Sequence, residues 1–406
     1  MGNSGNTAPL NFSCVFRGSR DHYEVPAAFA EMGRLDSLVT DFYRPEFLDS
    51  WLVPSRARSK LLRRSHEQIP SKDVIRIHWA SLPLHKPFFD RWDYDAAIGR
   101  AAARKVIGPA VVYSYYWRGF QQIHERAGRS SPAFVFQVHP VARQVRSILK
   151  ADRERSGIDA GMEGEERFSV HDLETEEASL KKADGFLVAS QFTKRGLQDL
   201  GVDSERVRQA VYGSDRIATA PRRSSWQSRS TGRPLRLLWI GQLAYRKGPH
   251  WLFEAARRLS GLVELTIVSR SEVPTWLQPL PDNVSLMRVE AGAMDRVFAS
   301  HDAFVMPSLV EGFGLVYAEA LRAGLPIIAT ANSGAPDIAQ DGENAIFVEA
   351  GDLEGLVTSL SELAESRELL SHLRRGARDR RLPTWAEFRQ QVRNGADLLA
   401  GSGGWG

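Results

Sequence analysis

Two carboxylates eight positions apart, Glu311 and Glu319, stand in the run Met306-Pro-Ser-Leu-Val-Glu-Gly-Phe-Gly-Leu-Val-Tyr-Ala-Glu-Ala-Leu-Arg-Ala-Gly-Leu-Pro326. An apolar segment ends at Met306, a glycine-flanked loop follows, and a helical pattern starts near Gly314. Ligands of open parallel sheets bind at such strand ends. The free N–H groups and dipole of a helix start favour phosphate. Gly312 and Gly314 leave the amides around Phe313 and Leu315 bare, so an anion can come close. Glu311 falls in the loop and Glu319 inside the helix, which points one carboxylate toward a sugar and the other toward a ribose. Carboxylates accept strong charge-assisted bonds from such hydroxyls. Taken alone, Glu319 reads more often as a solvated helix carboxylate. Gly312-Phe313-Gly314 also begins a dinucleotide fingerprint, but Tyr317 stands where its third glycine is required, which argues against NAD.

A second constellation is Leu238-Trp-Ile-Gly241-Gln-Leu-Ala-Tyr-Arg246-Lys247-Gly248. A strand pattern ends at a glycine and a basic pair follows just before a helix. Arg246 could grip a diphosphate by a bidentate fork and Lys247 as a point charge. By itself such a turn is more often solvated surface; its occurrence beside the glutamate loop, each at a strand end, shifts the reading. In the first half, Asp21, His22 and the pair His139-Pro140 also follow strand patterns. On position alone His139 is open between a structural and a substrate-touching role. Asp93-Tyr94-Asp95 spells a metal-binding triplet, but carboxylates at a helix start explain it adequately. The basic run Arg56, Arg58, Lys60, Arg63, Arg64 is open between a membrane-surface patch and a solvated face.

Short β-branched and aromatic runs alternating with helical patterns predict parallel βαβ units. In the first half, strands are expected at 11–16, 37–40, 74–78, 111–115, 133–138 and 185–189, with helices at 25–32, 94–105, 117–127 and 173–182. The charged, glycine-bearing stretch 150–167 reads as a loop or loose helix. The arginine- and serine-rich stretch up to Pro234 has the composition of a linker. A second series follows, with strands at 235–240, 263–268, 284–287, 303–306, 326–330 and 345–348 and helices at 250–259, 293–299 and 315–323. A last helical pattern, 385–399, lies beyond Pro383.

The chain has 406 residues, long enough for two or three domains. Its 43% apolar and 25% charged residues are those of an ordinary soluble protein. A net charge of +4 is too mild to predict a nucleic-acid partner but suits anionic ligands or an acidic membrane surface. A single cysteine, Cys14, allows no internal disulfide, which fits a reducing cytoplasm. No apolar run approaches the roughly 18 residues of a membrane-spanning helix, and no secretory signal is expected from Met1 to Ser13.

Together these motifs resemble retaining glycosyltransferase family 4, the group 1 glycosyl transferases of the GT-B fold. The family's Glu, seven residues, Glu signature is matched by Glu311 and Glu319, and its Gly-x-Leu-x-x-Arg-Lys-Gly loop by Gly241 to Gly248. Ala335-Pro336-Asp337, Asp341 to Asn344, Ala183 to Ser190 and Gly213-Ser214-Asp215 match further segments in order, so the resemblance covers Leu173 to Phe388. It implies two Rossmann-like α/β domains whose parallel sheets face a central cleft. The acceptor domain would span 1–214, a linker 215–234, the donor domain 235–382, and a helix at 383–400 would cross back to the first domain.

The resemblance further implies a retaining hexosyltransferase that needs neither metal nor cofactor. Arg246 and Lys247 would neutralise the donor diphosphate, Glu319 would hold the ribose and Glu311 the transferred sugar. The amides of Gly312, Phe313, Gly314 and Leu315 would face sugar and phosphate, and His139 matches the family's active-site histidine. The family's Gly-Gly loop after the first strand is reduced to Gly18 within Phe16-Arg-Gly-Ser-Arg-Asp-His-Tyr23. Partners would be a nucleotide-sugar donor of UDP or GDP type and a glycan or lipid-linked acceptor in polysaccharide biosynthesis. A cytoplasmic protein with a peripheral contact to anionic membrane is the matching expectation. A nucleotide-sugar epimerase of the same fold and a non-catalytic sugar-nucleotide-binding partner protein are the alternatives.

Overall fold

Apolar runs too short for helices, and rich in Val, Ile and Phe, become strands covered on both faces, as parallel sheets require. The computed structural model describes residues 10–16, 18, 20–44, 64–77, 91–106, 108–113, 117–127, 132–215, 233–290 and 292–402. Its first sheet holds β1 (Phe12–Phe16), β2 (Leu35–Thr40), β3 (Val74–Arg76), β4 (Ala110–Tyr113), β5 (Ala133–Gln137), β6 (Gly185–Val188) and β7 (Val207–Gln209). The second holds β8 (Leu235–Ile240), β9 (Val263–Val268), β10 (Val284–Met287), β11 (Ala303–Met306), β12 (Ile327–Thr330) and β13 (Ala345–Val348). The orders are β3-β2-β1-β4-β5-β6-β7 and β10-β9-β8-β11-β12-β13, and the strand pairs are parallel. Every residue of β1, β5, β6, β11 and β12 is buried. Strand order reverses beside β1 and beside β8, and crevices open at such switch points.

The first sheet carries α1 (Glu24–Ala30), α2 (Arg91–Ala102), α3 (Trp117–Ala127), α4 (Ala142–Ser156), α5 (Val170–Lys181) and α6 (Gln191–Asp199). The second carries α7 (Pro249–Arg258), α8 (Met294–Ala299), α9 (Leu315–Arg322), α10 (Ala335–Ile338), α11 (Leu353–Glu365) and α12 (Arg367–Asp379). None of the described helices is long and apolar enough to cross a membrane. α4 was not expected from Ala142, and in the stretch 150–167, open between a loop and a loose helix, it runs on as a helix to Ser156. Its inward face is Ala142, Val145, Leu149 and Asp152. A carboxylate occupies a core position there, so the apolar period breaks where the helix is still buried. β7, α6, α11 and α12 were likewise not expected.

The last helix, α13 (Trp385–Ser402), packs on α1, β6 and β7 of the first sheet. Arg389 donates to the fully buried Glu24 at 2.7 Å and Arg393 to Glu31 at 2.7 Å. Breaking such a buried pair costs about 3–5 kcal/mol. The chain leaves and re-enters the first domain at one place: Ser214 N–H donates to Pro383 O at 3.0 Å and Trp385 N–H to Asp215 Oδ1 at 2.7 Å. Most of the expected linker, residues 216–232, lies outside the described residues.

The two sheets meet across polar contacts at their strand ends. Ser190 Oγ donates to Gly312 O at 2.5 Å, and Asp337 accepts from Gln191 N–H at 3.2 Å and from Gln209 Nε2 at 2.6 Å. A Cβ on Gly312 would overlap the Val138 carbonyl oxygen. Only a residue without a side chain lets the second domain's loop lie against the end of β5.

Two measurements test this packing. Glu176, buried on α5, accepts the N–H of Ala142 at the start of α4 at 2.9 Å. Burial pushes its carboxyl up to about 8, against the lowering by that N–H and with help from Glu165 and Glu177. A carboxyl that holds its proton more tightly folded than unfolded stabilises fully below about 4.5, and that stability is lost as pH rises through about 8. Glu176→Gln keeps the acceptor and cannot titrate, so its Tm should fall less than the wild type's between about pH 5 and pH 9; parallel curves would refute the assignment. Gly312→Ala should push the domains apart, raising the radius of gyration in small-angle scattering and lowering Tm by several degrees, on the order of 1–3 kcal/mol of overpacking. An unchanged scattering curve and Tm would show that the close approach carries no weight.

Candidate functional site

The site grows from two loops at the ends of neighbouring strands, β8 and β11. After β8, Gly241 takes φ 150°, and a Cβ there would sit 3.2 Å from Lys247 Nζ. A short 3-10 turn, Tyr245–Lys247, then ends at Gly248, whose φ of 68° suits glycine and whose Cβ would overlap the Pro307 carbonyl oxygen. The backbone closes the contact: Leu309 and Val310 N–H donate to Arg246 O at 2.8 and 3.1 Å. The turn and the Glu311 loop therefore move as one piece.

Side chains complete it. Arg246 donates to Glu311 Oε2 at 2.9 Å and to Val310 O at 3.1 Å, and Lys247 Nζ lies 3.2 Å from the same Glu311 oxygen. Burial alone would push the Glu311 carboxyl up; Arg246, Lys247 and the His139 ring together hold it well below the usual carboxylate range. Two cations thus share one carboxylate oxygen at a strand end. Phe313 is buried edge-on to Tyr212, with ring centroids 5.1 Å apart. Gly314, at φ 81°, begins α9 with no side-chain cap on its first amides, so the turn at Leu315 presents N–H groups beside the cations. Glu319 sits about one turn further along α9, half-buried. Burial raises its carboxyl, and it has no hydrogen-bonding or ion-pair partner among the described residues.

From the first domain comes His139, at the end of β5. Its Nδ1 lies 3.3 Å from Pro140 O and 3.8 Å from Glu165 Oε1, and the missing Cβ of Gly312 would be 3.3 Å from its Cα. Burial lowers its basicity, with Glu165 opposing and Arg246 adding to the fall. The structure thus gathers His139, Arg246, Lys247, Glu311, Gly312, Phe313, Gly314 and Leu315 around one crevice, with Glu319 along the same helix.

Gly18 belongs to a different cluster. Its N–H donates to Asp41 Oδ1 at 2.8 Å, and Arg64 lies 3.9 Å from that oxygen. Arg64 is the one described member of the basic run; Arg56, Arg58, Lys60 and Arg63 lie outside the described residues. Asp21, His22 and Tyr23 form three successive left-handed residues, at φ 49°, 53° and 63°. Such non-glycine conformations cost about 1–3 kcal/mol each and persist where surrounding structure enforces them. Here Tyr212 OH donates to Asp21 Oδ2, and the Tyr212 ring in turn meets Phe313. Among the described residues no three His, Cys, Asp or Glu side chains gather to hold a metal ion. Asp93 and Asp95 fall inside α2, and their side chains are outside the described residues.

Sequence reasoning passed over Asp152, Glu163, Glu165 and Tyr245. Glu163 accepts the Tyr245 N–H, Glu165 faces His139, and Asp152 accepts from the Tyr245 phenol. The signal was the acidic run Glu163-Gly-Glu-Glu166 in the segment just after α4. Its glycine and charge suggested solvent instead.

Residues 234–366 match the model of the family described as Glycosyl transferases group 1. The sulfoquinovosyl transferase of Arabidopsis thaliana is 37% identical over 94 residues, 22% of this chain and 18% of that protein. The D-inositol 3-phosphate glycosyltransferase of Geodermatophilus obscurus is 27% identical over 302 residues, 68% of this chain and 64% of that protein. The chain therefore spans less than two thirds of the length of these relatives. Sucrose-phosphate synthase from Thermosynechococcus elongatus shares the fold, with a TM-score of 0.66 at 16% identity over 94% of this chain and 97% of that one. Two parallel-sheet α/β domains in this arrangement are the GT-B fold, and residues 234–366 resemble the group 1 glycosyl transferases.

Proposed function

We propose that the protein is a retaining glycosyltransferase that moves a sugar from a nucleoside diphosphate of UDP or GDP type to a glycan or lipid-linked acceptor. The observation that carries this reading is the convergence of Arg246 and Lys247 on Glu311 beside the uncapped start of α9. The donor diphosphate is met by Arg246 and Lys247, with the α9 amides facing its oxygens. As the sugar–phosphate bond breaks, negative charge grows on the leaving diphosphate, and fixed cations stabilise it without reorganising. Glu319, a half-buried carboxylate with no side-chain partner among the described residues, holds the ribose hydroxyls. Glu311, already fixed by its two cations, faces the sugar, where positive character develops. His139 closes the crevice from the acceptor side. Domain closure keeps out water that would hydrolyse the donor.

Two experiments test the reading. Transfer should persist in excess EDTA, because the charge on the diphosphate is met by Arg246 and Lys247; complete loss on chelation, restored by manganese, would defeat metal independence. Calorimetric titration with UDP, GDP and ADP, paired with initial rates, separates the glutamates. Glu319→Gln should weaken binding of the bare nucleotide by about 1–3 kcal/mol. Glu311→Gln should leave that affinity nearly unchanged and lower turnover on the order of 10²-fold. Equal losses of nucleotide affinity in the two variants would show that the assigned division is wrong.

A further inference from the structure

Tyr245 immediately precedes the two cations, and the first domain holds it by its phenol, its ring and its backbone N–H. Its phenol donates to Asp152 Oδ2 at 2.8 Å and meets Ser156 Oγ at 3.0 Å. Its backbone N–H lies 3.2 and 3.1 Å from the two oxygens of Glu163. The Arg153 guanidinium stands over its ring, 4.1 Å from the centroid. All of these partners belong to α4 or the segment just after it. Asp152 is wholly buried and takes two more donors from the second domain, His250 Nε2 at 3.0 Å and Trp251 Nε1 at 2.9 Å. Those two residues open α7, on the far side of Lys247 and Gly248, and the His250 ring stacks on Tyr245 at 4.4 Å.

One first-domain carboxylate therefore grips the basic turn from both of its ends, and a second fixes the amide at its start. The grip is itself braced. Arg153 forks onto Glu166 with two 2.7 Å bonds, and Glu166 Oε2 accepts the Glu163 N–H at 3.0 Å. A buried carboxylate is a poor device for mere adhesion, since apolar residues of equal volume dock surfaces at least as well. What it supplies is direction: three donors must point at two oxygens before the interface closes.

We propose that Asp152 and Glu163 are positioning residues that set Arg246 and Lys247 at the donor diphosphate, so that the first domain governs the charge site of the second. The proposal rests on the glycosyl-transfer reading above. In it, the cations reach their working geometry only while α4 is docked, which couples donor activation to domain closure.

The test uses the full-length protein with Glu163→Ala, Glu163→Gln, Tyr245→Phe and Asp152→Asn. Initial rates are measured where each variant is fully folded, together with Tm and calorimetric titration by UDP, GDP and ADP. A glutamine retains an acceptor for the Tyr245 N–H, so Glu163→Gln should keep turnover within about threefold, whereas Glu163→Ala should lose about tenfold or more. Tyr245→Phe and Asp152→Asn should lose at least as much turnover, with the donor KM rising far less. Lowered Tm with unchanged turnover across the set would overturn the proposal and leave these residues as adhesion only. If Asp152→Asn fails to fold, the two Glu163 variants decide the matter. A wild-type protein that binds none of the three nucleotides defeats the glycosyl-transfer reading itself. One that binds and transfers equally well in wild type and Glu163→Ala defeats only the positioning role.

Discussion

Glu311 leaves water only because Arg246 and Lys247 close on the same oxygen. That three-body contact joins the loop after β8 to the loop after β11. Much around it is arranged to permit it: Gly248 gives way to Pro307, Gly312 to Val138, and the Arg246 carbonyl takes two amides of the opposing loop. Removing either cation would leave a largely buried charge short of a partner, a cost of several kcal/mol. The site is therefore preorganised by its own ion pairs before any ligand arrives.

The interface between the domains is of a different kind. A small apolar cluster, Val145, Leu149, Phe192, Tyr245, Leu309 and Val310, lies at its centre. Around it the contacts are hydrogen bonds to carboxylates and carbonyls, from Ser190 to Gly312, Gln191 to Asp337 and Tyr245 to Asp152. Polar interfaces of this sort release more readily than an apolar core, since water can replace each bond. Directional bonds also remake in one register, which suits domains that open for substrate and return to one geometry.

The second sheet was legible in the sequence almost strand by strand. β8, β9, β10, β11 and β13 fall at their expected bounds because each is a short apolar run flanked by turn residues. The residues at its ends were legible too, since glycines and charges interrupt those runs abruptly. The first domain was harder. α4 was not expected, and its end lay in the stretch 150–167 that was open between a loop and a loose helix: Asp152 faces inward, and a carboxylate in a core position is indistinguishable by periodicity from the end of a helix. Glu163 and Glu165 were lost for a related reason. Their roles depend on partners some 80 positions away or on another strand's end, and a chain pattern records only its neighbours. Even so, His139 lies beside Glu311 because β5 ends there, which its strand pattern indicated.

The return of α13 to the first domain has a consequence for how the molecule is made. Glu24 and Glu31 are made well before Arg389 and Arg393, which emerge more than 350 residues later. In the interval the groove that α13 will fill lacks its cations, while His66 Nε2 lies 3.4 Å from Glu24 Oε1. At a synthesis rate of about 5–20 residues per second, that wait is tens of seconds. The second domain, whose sheet is continuous in the chain, can close on itself first. The nascent first domain must either tolerate an open flank or be shielded until α13 arrives to close it.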